Sequence, residues 1–235
     1  MNAQITSNHL IQVSNVHKSF LMGKEAVQAL RGVSLNVKSG EVVCLMGPSG
    51  SGKTTLLNII GGLEEPSRGH VIVNGENVIA MSEDKLSEMR LSQMGFVFQS
   101  YNLLANFTAR ENVEVPMALA GIKRRERKQR VERLLIDVGL ADRAQHYPSE
   151  LSGGQQQRVA IARALANDPP ILIGDEITGD LDSETGFEVM DIVVRLNREK
   201  GTTIIFVTHD PRMAKFADRL IQLRDGKIIE DNGQS

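Results

Sequence analysis

The chain has 235 residues, 41% of them hydrophobic and 24% charged, which places it with ordinary globular proteins and excludes a disordered, collagen-like or disulfide-stapled chain. Its 27 lysines and arginines against 29 aspartates and glutamates leave a formal charge of −2, so the global balance does not recommend nucleic acid as a partner. Cys44, the one cysteine, lies between Val43 and Leu45 and reads as a small core residue; no intramolecular disulfide is possible, which suits the cytoplasm. The first twenty residues mix Asn2, Gln4, Ser7, Asn8 and His9 with single apolar residues, unlike a signal peptide. No run approaches the roughly 20 apolar residues of a membrane span.

Short strand patterns dominate the start: Leu10 to Val13, Val33 to Val37, an apolar run Val42 to Met46, and Val71 to Val73 running into the hairpin pair Asn74-Gly75. The first third is thus expected to be rich in antiparallel strands around one buried strand ending at Met46. Ser82 to Ser92 has the character of a short polar helix, and Val131, Leu134, Leu135 and Val138 recur at helical spacing before Gly139. These predict a helical lobe over about 101–165. Lys123 to Arg130 holds six bases against one acid, read as a solvated helix face, with a contact to an anionic partner or a nearby membrane as the alternative. The last third alternates: Ile171 to Ile173, a helix marked by Phe187, Met190, Val193, Val194 and Asn197, then Thr203 to Val207. Such alternation implies a parallel sheet with crossover helices. Leu220 to Leu223 and Lys227 to Ile229 flank Asp225-Gly226 as a closing hairpin.

The sharpest motif is Gly47-Pro48-Ser49-Gly50-Ser51-Gly52-Lys53-Thr54, set between the apolar strand and a helix beginning near Thr55. Spelling and context both match a phosphate-binding loop: glycines let backbone N–H groups wrap phosphates, the helix start adds partial positive charge, Lys53 adds a full one, and Thr54 offers a hydroxyl to Mg²⁺. Such a loop needs an acid on a neighbouring strand. Ile171 to Gly174 delivers two, Asp175 for the metal and Glu176 to polarise a water; alternation along the strand points them to opposite faces. Phe96 to Phe98 leads to Gln99, and Ile204 to Val207 leads to Thr208-His209, so four strands converge on one carboxyl edge. Leu151-Ser152-Gly153-Gly154-Gln155 opens another helix with Ser152 as N-cap, a second anion-binding nest that one phosphate loop does not itself require.

With these residues in place, the chain resembles the ATP-binding subunit of an ABC transporter over about Leu10 to Glu230. The resemblance implies an α/β, RecA-like P-loop core with a parallel sheet, an antiparallel β subdomain and an inserted helical subdomain, all in one domain over 1–235. It implies an ATP hydrolase in which residues 47–55 hold the nucleotide, Phe20 stacks on adenine, and Thr54, Gln99 and Asp175 attend Mg²⁺. Glu176 is implied as the catalytic base and His209 as a contact to the γ-phosphate. It further implies a head-to-tail pair in which Ser152, Gly153, Gly154 and Gln155 of one copy cap ATP on the other, with Asp182 in the loop communicating between copies. Met94 to Gln99, Asn102 to Leu104, Glu111 to Pro116 and Leu151 to Arg158 are most similar to the macrolide-export and lipoprotein-release subfamily. That points to a transmembrane permease partner with a large extracytoplasmic domain and a cytoplasmic location against the membrane. The alternative is a non-transport ABC ATPase, such as a cell-division scaffold or nucleotide sensor. Ile177, Phe20 and Asp180 depart from the commonest residues of the family.

Overall fold

A computed structural model describes residues 9–23 and 25–233; residues 1–8 of the leader reading lie outside the described residues. In chain order the elements are β1 (His9–Met22), β2 (Glu25–Lys38), β3 (Val42–Met46), α1 (Lys53–Ile60), β4 (Arg68–Val73), β5 (Glu76–Asn77), α2 (Glu83–Gln93) and β6 (Met94–Phe98). They continue with α3 (Ala109–Leu119), α4 (Arg124–Asp137), α5 (Gly153–Ala164), β7 (Ile171–Asp175), α6 (Ser183–Lys200), β8 (Thr203–Val207), β9 (Arg219–Arg224) and β10 (Lys227–Asp231). Two sheets result: an antiparallel one in the order β2-β1-β4-β5, and a six-stranded one in the order β10-β9-β3-β8-β7-β6. In the second, β9, β3, β8, β7 and β6 run parallel and β10 closes the edge antiparallel to β9.

The parallel strands are buried on both faces, so their apolar runs are continuous and successive side chains feed two cores. Val43, Leu45, Ile171, Ile173, Ile205 and Val207 share one core with Leu56, Leu57, Ile59 and Ile60 of α1 and with Val13, Leu35 and Val71 of the antiparallel sheet. The intervening residues Val42, Cys44, Leu172, Ile204 and Phe206 belong to the other core, with α3 to α6 behind them. Cys44 is fully buried and its thiol is pushed up to about 12 by burial first and the nearby Glu176 second, which leaves it an inert core group.

One expectation from the sequence is corrected in extent. The short strands at Leu10 and Val33 are parts of a long β1–β2 ribbon whose register shifts between Val13 and Val16, where Asn15 has φ 47°. The bulge interrupts the two-residue alternation that the eye follows in the sequence. The helical stretch is built from α3, α4 and α5, with buried Asn112 bonding Leu104 N at 2.8 Å and the carbonyls of Leu104, Phe107 and Thr108, which fastens the loop before α3. In α4, Val131, Leu134 and Leu135 are buried while Arg124, Arg125 and Lys128 are exposed.

Candidate active site

The loop after β3 turns into α1 at Gly52, whose φ of 100° and whose closeness to the Ala29 carbonyl, 2.5 Å from where a Cβ would sit, admit no other residue without displacement. Ser51 N bonds Pro48 O at 3.2 Å, and the β9–β10 turn buttresses the loop through Gly226 N to Ser51 O at 3.1 Å. Lys53 begins α1; its side chain is 7% exposed and its ammonium donates to Gly47 O at 2.8 Å and Pro48 O at 3.0 Å. A buried cation bonded only to carbonyls, at a helix start, suits a polyanion. Ser51 Oγ is buried without a partner among the described residues, a second polar atom available to a ligand.

Beside the loop lies a pocket of about 640 Å³, within the range of small-molecule sites. Its wall holds Phe20, Ala29, Ser49, Gly50, Gly52, Lys53, Thr54, Thr55, Glu176 and His209. Phe20 on β1 is 37% exposed, with Lys18 Nζ 4.9 Å from its ring centre, so an aromatic face carrying a nearby cation is presented at one end. Ala29 carries no sequence signal. It reaches the wall because β2 docks against the turns at Gly52 and Gly226, a tertiary contact invisible in local pattern.

Asp175 ends β7, and its Oδ1 accepts from Thr54 Oγ1 at 3.1 Å, bringing the loop hydroxyl and the strand carboxylate together. Burial raises the Asp175 pKa; the Thr54 bond opposes this, Glu176 adds to it, and Lys53 opposes it. Glu176 differs from the reading by alternation. It lies past the strand end with φ 51°, its N–H on Val207 O at 3.1 Å, so the left-handed turn and not the pleat separates the two acids. His209, after β8, donates from Nδ1 to Glu176 Oε1 at 2.9 Å. Gln99 follows β6 but is absent from the pocket wall; its Nε2 donates to Asp180 Oδ1 at 2.7 Å. Asp182 caps α6 through Thr185 N at 3.1 Å.

Ser152 and Gln155 form a reciprocal capping box at the start of α5: Ser152 Oγ accepts from Gln155 N at 3.3 Å, and Gln155 Oε1 accepts from Ser152 N at 2.9 Å. Gly154 is needed for packing, since a Cβ there would stand 2.3 Å from Thr185 Cγ2 on α6. None of Ser152, Gly153, Gly154 and Gln155 lines the pocket of Lys53. The two phosphate-binding candidates of this chain are therefore separate surfaces.

Comparison with known proteins decides what this arrangement belongs to. The family model described as ABC transporter matches residues 30–179, from β2 through the acids after β7. The chain belongs to the ABC transporter family. It is 50% identical over 95% of its length to the macrolide export ATP-binding/permease protein MacB of Marinobacter nauticus, of which it spans 35%. It is 48% identical over 94% of its length to the ABC transporter ATP-binding protein YknY of Bacillus subtilis, spanning 95% of that protein. Among solved structures it is similar to a dimeric ATP-binding cassette in a post-hydrolysis state bound to ADP and Pi, with a TM-score of 0.88, 45% identity and coverage of 94% of this chain and 97% of that one. Among the described residues of the cassette, no helix is long and apolar enough to cross a membrane.

Proposed function

We propose that this chain hydrolyses Mg·ATP only as a head-to-tail pair, and that the pairing drives a transmembrane permease. The observation that carries this reading is the separation of Ser152–Gln155 from the pocket of Lys53: each chain offers half of two sites. In the pair, the backbone of residues 47–55 and Lys53 hold the phosphates, the Phe20 ring packs on the base, and the free N–H groups of Gly153 and Gly154 on the second copy close over the γ-phosphate. The capping box leaves those two N–H groups available, because Ser152 and Gln155 satisfy each other.

A hydroxyl and a carboxylate already in contact, Thr54 and Asp175, form a donor set of the kind that suits Mg²⁺, which takes few protein ligands alongside substrate phosphates. Gln99 is proposed as a further member of that set. Magnesium, when bound, neutralises charge on the phosphates. Glu176 accepts the proton of the attacking water. In the same proposal His209, which is bonded to Glu176, contacts the transferred phosphoryl group. The reaction is phosphoryl transfer to water without a covalent protein intermediate; positioning and charge supply the rate.

The MacB relative is named as an ATP-binding and permease protein, and this chain matches a third of it, which supports a permease partner and a place on the cytoplasmic side of the membrane. The extracytoplasmic domain of that partner is part of the same proposal. The test is phosphate release from ATP by the full chain. Turnover that stops on chelation of magnesium is expected; a folded chain that binds ATP yet releases no phosphate contradicts the reading.

A further inference from the structure

Just beyond Gln99 the backbone adopts a conformation that its side chains disfavour. Tyr101 and Asn102 are consecutive non-glycine residues at φ 58° and 49°. Residues with a Cβ avoid this left-handed region, asparagine least and bulky residues such as tyrosine most, and a consecutive pair persists only where the surroundings hold it. One side chain supplies the hold. Arg163, near the end of α5, donates from Nη2 to Tyr101 O at 2.8 Å and from Nη1 to Asn102 O. A planar guanidinium is shaped for this, because its two donors are fixed in one plane and hold two successive carbonyls in a set geometry, whereas the donors of an ammonium rotate and fix no such plane.

Arg163 has no carboxylate partner among the described residues, and burial lowers its pKa, so the charge is retained there against desolvation with only these carbonyls as its bonded partners. The same tyrosine touches the other end of the helix: a Cβ built on Gly153 would stand 2.8 Å from the Tyr101 hydroxyl. The loop that carries Gln99 is thus attached to α5 at its start and near its end.

We propose that Arg163 is a positioning residue that locks Tyr101 and Asn102 in the left-handed conformation and so makes the Gln99 loop move as one piece with α5, the helix that begins at Ser152. Nucleotide capture at the start of α5 then sets where Gln99 lies. The activity part of this claim rests on the ATPase reading above; the conformational part does not.

The test uses the full chain with Arg163→Gln, alone and combined with Asn102→Gly. Glycine occupies positive φ as readily as negative, so it removes the preference that the guanidinium opposes. Arg163→Gln is expected to lower kcat roughly tenfold and to speed amide hydrogen exchange over residues 100–104 by a similar factor, the scale of one left-handed penalty. Affinity for a fluorescent ATP analogue measured without magnesium stays at the parent value, because the loop is not in the pocket wall and its Gln99 acts only through the metal. Adding Asn102→Gly returns both readouts most of the way to the parent. An arginine that merely adds stability would not be rescued by glycine at 102. Parent-like exchange and turnover in Arg163→Gln, or failure of the glycine to restore them, overturns the proposal. Should Arg163→Gln not fold, Arg163→Lys, which keeps the charge and loses the fork, takes its place. A parent chain without turnover would refute the ATPase reading, and exchange would still decide the lock.

Discussion

Replacing Glu176 with glutamine removes one proton acceptor and changes almost nothing else in shape. The carboxylate is 18% exposed and accepts from His209 Nδ1 at 2.9 Å, so bulk water is a poor substitute for it. The adjacent acid cannot take over, because Asp175 is engaged with Thr54 at 3.1 Å. Loss of a positioned general base slows a reaction by about 10²–10⁴-fold, which is roughly 3–5 kcal/mol of transition-state stabilisation. Glu176 is the one carboxylate in the pocket wall among the described residues, which favours the upper part of that span. Stability should not fall, since Glu176 is one of the influences raising the Asp175 pKa and its removal relieves like-charge repulsion. The assay is phosphate release at saturating Mg·ATP, with nucleotide affinity and melting temperature recorded on the same samples. Turnover within tenfold of the parent, in a folded variant that binds ATP, would remove Glu176 from the role of base.

Gly154→Ala places a methyl group 2.3 Å from Thr185 Cγ2 and should cost about 1–3 kcal/mol of stability, with Thr185→Ser recovering most of it; thermal unfolding of the single and double variants checks the contact. The C-terminal hairpin is held by a buried pair, Arg219 Nη2 to Asp231 Oδ2 at 2.6 Å, in which the Arg219 bonds hold the Asp231 carboxyl below its ordinary value. A depressed carboxyl pKa contributes stability that is present above the unfolded value near 3.8 and lost as pH falls through the folded value. Asp231→Ala should therefore lose about 3–5 kcal/mol at neutral pH and show a shallower fall in stability below pH ~4 than the parent, read by denaturant titration across pH.

Much of this molecule was legible where local pattern and tertiary role coincide. The runs Val42 to Met46 and Ile204 to Val207 are apolar without a break because parallel strands are buried on both faces, and the glycines of residues 47–52 are spaced as a phosphate cradle demands. Legibility failed where a role depends on a distant neighbour. Ala29 reaches the pocket only through the docking of β2, and Gly154 is small because α6 passes close to it. Residues at positive φ also escaped: Asn15 breaks the alternation of β1, and Glu176 leaves the strand that was expected to orient it. Asparagine tolerates that conformation by itself, but Glu176 is held in it by its surroundings, which local propensity does not encode.

Intermolecular proximity between residue 152 and the phosphate loop is the decisive measurement. One Glu176→Gln chain carries Ser152→Cys and a second carries Ser49→Cys; the native Cys44 is fully buried and does not compete. The two are mixed with a short bifunctional thiol reagent, with and without Mg·ATP. Sandwiching of the nucleotide between copies predicts a crosslinked heterodimer that forms on addition of Mg·ATP. Chains that bind ATP and remain monomeric, or dimers in which these two positions never join, would contradict it.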